Sequence, residues 1–324
     1  MGKSSGGRRA FVRKANRKLN MEIVPFDPAN GMLDWHHLIR ALEQGHRLPK
    51  AEIGDTFLYR GDDTMLSRSA WIDGLGIAVK TATIFPGNVR LGKPTTGGGL
   101  CLYSDDTGSL EAIVDFSLVT NWKTAGDSLL AASKLARPDA SRILIVGAGT
   151  VAQTLPSAYG VLFPDASFSV WNRTREGAER LASQWPGMEV VDDLAKAVQS
   201  ADIISAATMS SEPVIKGEWL RAGQHIDLIG AYRPDMREAD DTALRRSSIF
   251  VDSRSTTLEH IGELMIPLGS GSITQDDIRG DFYDIAGGQF TRRNADEITL
   301  FKNGGGAHLD LMTARYVLAC WRGR

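Results

Sequence analysis

One short segment limits the fold of this chain more than any other: an apolar run, residues 143–146, leads straight into a G-x-G-x-x-A motif at residues 147–152. Four consecutive apolar residues predict a strand buried on both faces. Glycines allow a tight turn and a close approach to phosphates, and Ala152 lets the next helix pack near the strand. The segment therefore predicts a dinucleotide site, with a ligand-free Gly-rich turn as the alternative. The expected cofactor contacts are Gly147, Ala148, Gly149, Thr150 and Val151.

The motif alone is weak, but its surroundings repeat the same strand and helix alternation. Further apolar runs predict strands at residues 167–171, 202–206, 225–229 and 249–252. Strands that alternate with helical segments are typical of a doubly wound parallel sheet. We therefore predict an α/β protein with a Rossmann-type domain at residues 123–302.

The end of the second predicted strand indicates which nucleotide binds. NAD sites place Asp or Glu there for the ribose 2′-hydroxyl, whereas this chain has Asn172, Arg173 and Thr174. An arginine can pair with a 2′-phosphate, and the two polar neighbours can donate hydrogen bonds to it. NADP(H) is predicted in preference to NAD(H), and a solvated loop is the alternative.

The remaining residues predict a second, smaller α+β domain. A length of 324 residues suggests about two domains. Alternating residues predict strands at 56–59 and 75–79, a hairpin turn at 106–108 and a strand at 110–116. A helix is expected at 121–136 with Thr120 as its N-cap, and another at 309–320. The small substrate-binding and dimerisation domain would comprise residues 21–122 together with 303–324.

Composition narrows the class of protein. The 37 basic and 39 acidic residues balance, so no overall field favours nucleic acid. The two cysteines, Cys101 and Cys320, suggest neither a disulfide framework nor a zinc site, and no apolar run is long enough to span a membrane. We expect a cytoplasmic protein that binds neither nucleic acid nor membrane. Residues 1–20 form a basic segment that we interpret as a mobile tail, with an organelle transit peptide or a nucleic-acid arm as the alternatives.

Two weaker signals do not predict function. Residues 87–93 match G-x-x-x-x-G-K, but Pro94 stands where a P-loop has the Ser or Thr that binds magnesium. The six histidines show no metal-ligand spacing, and His36 and His37 are interpreted as a polar helix face. Neither an ATPase nor a metal site is expected.

Several motifs occur in a characteristic order. They are KTATIFPGN at 80–88, GKPT at 92–95, DTG at 106–108, TNWKTA at 120–125, the nucleotide motif, GAYRPDMRE at 230–238 and LFK at 300–302. Over residues 35–320 the chain resembles the ornithine cyclodeaminase/mu-crystallin family. Residues 171–174 and 230–238 are most similar to its mu-crystallin branch, whose members reduce cyclic ketimines with NADPH.

The resemblance implies roles for individual residues. Lys80 and Lys50 match basic residues that hold the substrate carboxylate, and Lys80 is the expected catalytic residue. Lys123 matches an arginine that reaches both substrate and cofactor. Four more positions match residues at the cofactor: Thr95, Thr208, Met209 and Gly230.

The chain departs from the family pattern at three positions. Lys50 and Lys123 replace arginines and lose the bidentate fork for a carboxylate. Tyr232 lies near the substrate where the cyclodeaminases carry a catalytic aspartate. A phenol, with an ordinary pKa near 10, is a poor base at neutral pH, so ornithine deamination is disfavoured.

The expected activity is the NADPH-dependent reduction of a cyclic ketimine carboxylate. Δ1-Pyrroline-2-carboxylate and Δ1-piperideine-2-carboxylate are the substrates that the resemblance implies, and they would give proline and pipecolate. A cyclodeaminase, an alanine-dehydrogenase-like enzyme and a non-catalytic NADPH-dependent binder of small ligands are the alternatives. The resemblance also implies a homodimer that forms through the small-domain sheet.

Overall fold

A computed structural model describes residues 21–324; the predicted basic tail lies outside the described residues. Six strands form the smaller of two sheets. They are β1 (Glu22–Val24), β2 (Glu52–Arg60), β3 (Asp63–Ile72), β4 (Gly76–Ile84), β5 (Thr96–Tyr103) and β6 (Leu110–Asp115). Their order is β1-β6-β5-β4-β3-β2, and β1 pairs with β6 in parallel while the other pairs are antiparallel. Strand β2 is thus a free edge, and all nine of its residues are exposed.

Eight parallel strands form the larger sheet. They are β7 (Arg142–Val146), β8 (Ser167–Trp171), β9 (Glu189–Val190), β10 (Ile203–Ala206), β11 (His225–Leu228), β12 (Ser248–Val251), β13 (Ile278–Gly280) and β14 (Thr299–Lys302). Their order is β13-β12-β14-β11-β10-β7-β8-β9. The chain runs outward in opposite directions from β7, so the switch point, where ligands bind in such sheets, lies between β7 and β10.

Ten α-helices within residues 21–324 cover the sheets. They are α1 (Phe26–Ala29), α2 (Trp35–Gly45), α3 (Phe116–Leu135), α4 (Leu155–Leu162), α5 (Arg175–Ala182), α6 (Leu194–Ser200), α7 (Asp241–Arg245), α8 (Arg254–Thr257), α9 (Gly262–Ser270) and α10 (Ala307–Arg322). Among residues 21–324, none of the helices is both long and apolar enough to cross a membrane.

The apolar residues of β7 pack on both faces of the large sheet. Ile143 and Ile145 join the cluster that continues into the small domain, whereas Leu144 and Val146 join a second cluster on the opposite face. This two-sided burial confirms the interpretation of the run as an interior strand. The predicted doubly wound α/β fold with a second, α+β unit is therefore the observed architecture.

Helix α3 connects the two sheets and begins earlier than predicted. Asp115 caps it by accepting from the Leu118 amide at 2.8 Å, whereas the Thr120 hydroxyl donates to the Phe116 carbonyl inside the helix. The prediction that Thr120 is the N-cap is wrong, because the preceding strand delivers a stronger cap five residues earlier. The predicted domain boundary between Trp122 and Lys123 falls within this helix.

Helix α10 returns to the small domain, as predicted, and packs against α2, α3, β3 and β4. It follows β14 directly, through a short segment that contains three glycines at positions 304–306. Since β14 belongs to the large sheet, this segment is the second connection between the two units. The first residues of α10 consequently lie near the ends of the large sheet's strands.

Candidate active site

The predicted nucleotide turn follows β7 at the carboxyl edge of the large sheet. Gly147 has a φ of +108°, and a Cβ there would lie 2.7 Å from the Ala207 carbonyl oxygen. A Cβ added to Gly149 would meet no atom within 4 Å, so the backbone faces open space, as a bound pyrophosphate needs. Ala152 is fully buried. Thr150 is exposed and Ala148 and Val151 are half-buried, so the turn fits the cofactor.

The helix after this turn begins later than the motif suggests. Regular helix α4 starts at Leu155, and residues 150–154 form turns. Pro156 has no N–H to donate to the Ala152 carbonyl, which explains the interruption. The sequence predicts that a helix begins at the nucleotide motif, and this is wrong. Irregular turns, rather than the first turn of a helix, present the backbone amides of the motif.

The three predicted residues in the loop after β8 have different contacts. The Asn172 side-chain amide donates to the Thr174 carbonyl and hydroxyl at 2.9 and 3.1 Å, so its N–H groups stabilise the loop itself. Arg173 is exposed and pairs with no carboxylate in the described residues, whereas the neighbouring Arg175 pairs with Glu179 and Asp192. Arg173 is thus the cation left available at the end of β8.

The loops after β10 and β11 meet closely. A Cβ on Gly230 would lie 1.7 Å from the Thr208 carbonyl oxygen, so only glycine fits there. Between the loops, Glu238 Oε1 accepts from the Thr208 amide and hydroxyl at 2.7 and 2.8 Å, and Oε2 accepts from the Gly230 amide at 2.6 Å. Met209 projects from the same edge, 76% exposed. One carboxylate therefore joins two of the loops predicted to contact the cofactor.

Glu238 is completely buried, which changes its acid–base behaviour. Burial raises its pKa to about 7; Lys302 opposes the shift and Glu263 adds to it. Glu263 in turn accepts from the amides of Glu238 and Ala239 at 2.7 and 3.0 Å, and the Lys302 ammonium donates to the Leu228 carbonyl at 2.9 Å. Glu263 therefore holds the backbone at Glu238, and Lys302 holds the backbone at the end of β11.

The expected catalytic lysine lies in a buried ion pair. Lys80 Nζ is 2.9 Å from Asp310 Oδ1, and the side chains are 9% and 2% exposed. Strand β4 supplies the lysine and the first turn of α10 supplies the aspartate. The ammonium also lies 5.0 Å from the centre of the Phe116 ring, so an apolar wall and a carboxylate fix its position.

Lys123 and Arg68 complete a cationic cluster around Asp310. Burial alone would raise the pKa of Asp310, but the charges of Lys80, Lys123 and Arg68 outweigh it and hold that pKa below its usual value. Lys123 is only 7% exposed and has no ion pair in the described part of the chain. A buried cation with no carboxylate at ion-pair distance favours the binding of an anion.

The glycine-rich segment before α10 lies against this cluster. Gly305 has a φ of +72°, and a Cβ there would be 2.6 Å from Lys123 Nζ. Its carbonyl accepts from Arg68 Nη1 at 2.8 Å, and its amide donates to Asp252 Oδ2 at 2.6 Å. The segment is therefore held on both sides, by the small sheet and by the end of β12.

Three other predicted residues are exposed or half-buried. Lys50 is exposed, with its amine 5.2 Å above the Tyr283 ring. Thr95 is half-buried in the loop before β5, where its carbonyl accepts from the Phe85 amide at 2.7 Å. Tyr232 follows β11 and is 55% exposed. None of the three joins the buried cluster around Asp310.

Metal chemistry finds no support among the described residues. No group of three or more His, Cys, Asp or Glu side chains in residues 21–324 could hold a metal ion. His46 and His308 are buried with ring centroids 5.3 Å apart, and burial lowers the pKa of each to about 3. They are neutral at physiological pH.

Sequence reasoning missed the buried carboxylates Asp310, Asp252 and Glu238 as site residues. An isolated Asp or Glu in a sequence resembles a surface residue, and Lys80, the partner of Asp310, is 230 positions away in the chain. Glu238 and Lys302 fall in segments that carry the family resemblance, and this was the available signal. Asp252 ends a predicted buried strand at the sheet edge, which was a second signal.

This fold and this edge of the sheet define a dinucleotide-binding enzyme with a second, smaller α+β domain. The chain belongs to the ornithine cyclodeaminase/mu-crystallin family, whose model matches residues 67–324. It is 52% identical to Delta(1)-pyrroline-2-carboxylate reductase of Paracoccus denitrificans, over 91% of this chain and 96% of the relative. It is 33% identical to ketimine reductase mu-crystallin of Mus musculus, over 76% of each.

Solved structures show the same fold. Delta(1)-pyrroline-2-carboxylate reductase of Thermococcus litoralis, in complex with NADH and L-proline, is 26% identical with a TM-score of 0.86 and covers 94% of this chain and 98% of its own. An archaeal alanine dehydrogenase dimer with bound NAD is also 26% identical, with a TM-score of 0.85 and coverage of 94% and 96%. The resemblance noted from the sequence motifs is confirmed.

Proposed function

We propose that this chain reduces Δ1-pyrroline-2-carboxylate to L-proline with a reduced nicotinamide nucleotide. The observation that carries the proposal is the buried cation cluster of Lys80 and Lys123 beside the carboxyl edge of a dinucleotide-binding sheet. The 52% identity to a reductase of that name supports the substrate. Δ1-Piperideine-2-carboxylate, with one more ring carbon, is the second candidate substrate.

The nucleotide, when bound, would supply a hydride to the imine carbon. Lys80 and Lys123 would hold the substrate carboxylate, and their charge would replace the water that the anion loses on entering the site. Lys50 and Tyr232, at the outer surface of the site, would limit its width. Because a protonated imine is already electrophilic, the protein's task is to bind and orient it.

NADP(H) is the cofactor that the surface after β8 favours. Arg173 is exposed there without a partner among the described residues, and no carboxylate follows the strand where NAD-specific proteins place one. The turn at Gly147 and Gly149, the loops at Thr208 and Gly230, and Thr95 would surround the rest of the nucleotide. NAD(H) would bind more weakly.

A homodimer in the cytoplasm is the assembly we infer. Strand β2 leaves an edge unpaired, and Phe57, Leu58 and Tyr59 on it are 49%, 58% and 72% exposed. Exposed apolar edge strands pair readily with another chain. The two cysteines are free thiols, as a reducing compartment requires.

The first experiment follows NADPH absorbance with each cyclic imine, with NADH and with L-ornithine as comparisons. Oxidation of NADPH by either imine is the expected result. Ammonia released from ornithine with both imines unreactive would instead establish a cyclodeaminase. No reaction at all would favour a non-catalytic binding protein.

The role of Lys80 is tested in the same assay. Lys80→Met should lower kcat/KM for the imine by about 1000-fold, since a charge-assisted contact in a buried site is lost, with NADPH affinity nearly unchanged. Lys196→Met, at a lysine whose side chain is 82% exposed, is the matched control. Loss of NADPH binding in Lys80→Met would remove the assigned role.

A further inference from the structure

The ion pair between β4 and α10 is unusual because it removes both partners from water. The side chains of Lys80 and Asp310 are 9% and 2% exposed, with 2.9 Å between Nζ and Oδ1. Such a pair contributes little net stability, since desolvation offsets the attraction. Its presence beside the proposed substrate site calls for a functional explanation.

The titratable groups around the Lys80–Asp310 pair come from several parts of the fold. Besides the pair itself, Arg68 on β3 and Lys123 on α3 are cations, while Asp252 after β12 is a carboxylate and His308 on α10 is neutral. Arg68 also contacts Asp55 on β2 with three hydrogen bonds of 3.0–3.3 Å. Asp310 is the carboxylate that touches Lys80 directly.

The position of Asp310 keeps it ionised. It lies in the first turn of α10, a helix of 16 residues, where the helix dipole favours negative charge. The three neighbouring cations hold its pKa below the ordinary value despite burial. Asp310 is therefore the carboxylate that balances the charge of the Lys80 ammonium at neutral pH.

Lys80 depends on that charge. Burial lowers the pKa of Lys80, and Lys123 and Arg68 act in the same direction, whereas Asp310 opposes them. Without the aspartate, the lysine would face two cations and an apolar ring in a desolvated site. It would then lose its proton at a lower pH and would be free to change rotamer.

We propose that Asp310 is a positioning residue of the reductase, which holds the Lys80 ammonium in the place and charge state that bind the substrate carboxylate. The inference rests on the proposed function. Because Asp310 acts through Lys80, its removal would raise KM for the imine and leave nucleotide binding intact. The alkaline limb of the pH profile would also move toward neutral pH.

The test compares Asp310→Asn with the wild type in the imine assay from pH 6 to pH 10. The variant should lose about 100-fold in kcat/KM at pH 8, and its alkaline limb should fall by about one pH unit or more. NADPH affinity, measured by fluorescence, should change less than twofold. Asp127→Asn is the matched control, because Asp127 is also a fully buried carboxyl but makes no side-chain hydrogen bond among the described residues.

The outcomes separate the two hypotheses. A wild type that oxidises no NADPH with either imine overturns the function and the inference together. An active wild type with an unchanged KM and pH profile in Asp310→Asn overturns the inference alone. Should Asp310→Asn fail to fold, Asp310→Glu keeps the charge: a wild-type alkaline limb with a raised KM supports the proposal, and any other combination contradicts it.

Discussion

Asp252 Oδ2 lies 2.6 Å from the amide nitrogen of Gly305, so the end of β12 holds the segment that leads into α10. The same carboxylate oxygen accepts from the Gly304 amide at 3.1 Å. Arg68 binds the Gly305 carbonyl from the other side. The backbone at Gly305 therefore lies at a fixed position beside the buried amine of Lys123.

Gly305→Ala should reduce activity more than stability. The left-handed φ of +72° costs an alanine about 1–2 kcal/mol in the free energy of unfolding. The new Cβ would lie 2.6 Å from Lys123 Nζ and would displace it, so KM for the imine should rise about tenfold. Gly271→Ala has the same backbone cost, at φ +73° with no atom within 4 Å, and should leave KM unchanged. Equal KM values in the two variants would contradict the role of Lys123.

Arg173→Ala should change the choice of nucleotide. KM for NADPH should rise about 10- to 100-fold, because a 2′-phosphate loses a charge-assisted contact, while KM for NADH should stay within twofold. Arg175→Ala is the control, since Arg175 is already paired with Glu179 and Asp192. Steady-state kinetics with both nucleotides decide the point, and a parallel rise in both KM values would exclude recognition of the 2′-phosphate.

Glu238 should make stability depend on pH. Its folded pKa of about 7 is above the ordinary 4.5, so the folded state binds the proton more tightly. The resulting stabilisation is complete below pH 4.5 and is lost as pH rises through 7. Between pH 4.5 and pH 8 the wild type should lose about 3 kcal/mol relative to Glu238→Gln in urea unfolding. Glu259→Gln, at an exposed residue, is the control; a stability difference for Glu238→Gln that does not change with pH would refute the prediction.

Leu58→Lys should weaken the proposed dimer. Leu58 is 58% exposed on the free edge strand β2, and a charge there disfavours pairing with a second chain. Sedimentation velocity should show a shift toward monomer at micromolar concentration. Val89→Lys, at an equally apolar residue that is 71% exposed outside the strands, should sediment as the wild type does. A monomeric wild type would contradict the dimer itself.

The sequence predicted the large domain well because its signals are local. An apolar run followed by glycines indicates a buried strand and a tight turn from neighbouring residues alone, and β8 has the bounds that were predicted, residues 167–171. The predicted start of α3 was wrong because Asp115 and Thr120 are both residue types that can cap a helix. Which of them caps α3 depends on where β6 ends. Pro156 delayed α4 in a way that the motif alone does not reveal.

The candidate site was predicted only in part because its charges are paired across the fold. Lys80 stood out through its resemblance to a family position, but nothing local to Asp310 indicates that it meets Lys80. The position of β14 between β11 and β12 is equally non-local. Because β14 lies between β11 and β12, the segment at residues 303–306 passes close to Lys123, and the sheet order thus determines which residues surround that lysine.

The order of elements along the chain has a consequence for biosynthesis. Sheet β1–β6 precedes the large domain in the chain, yet α10, which packs on β3 and β4 and supplies Asp310, follows that domain. Strand β14 likewise must enter between two strands already made. The small domain therefore cannot complete its core until the large domain and α10 have been synthesised, so a nascent chain that stops before α10 would have neither a closed small-domain core nor a counter-ion for Lys80.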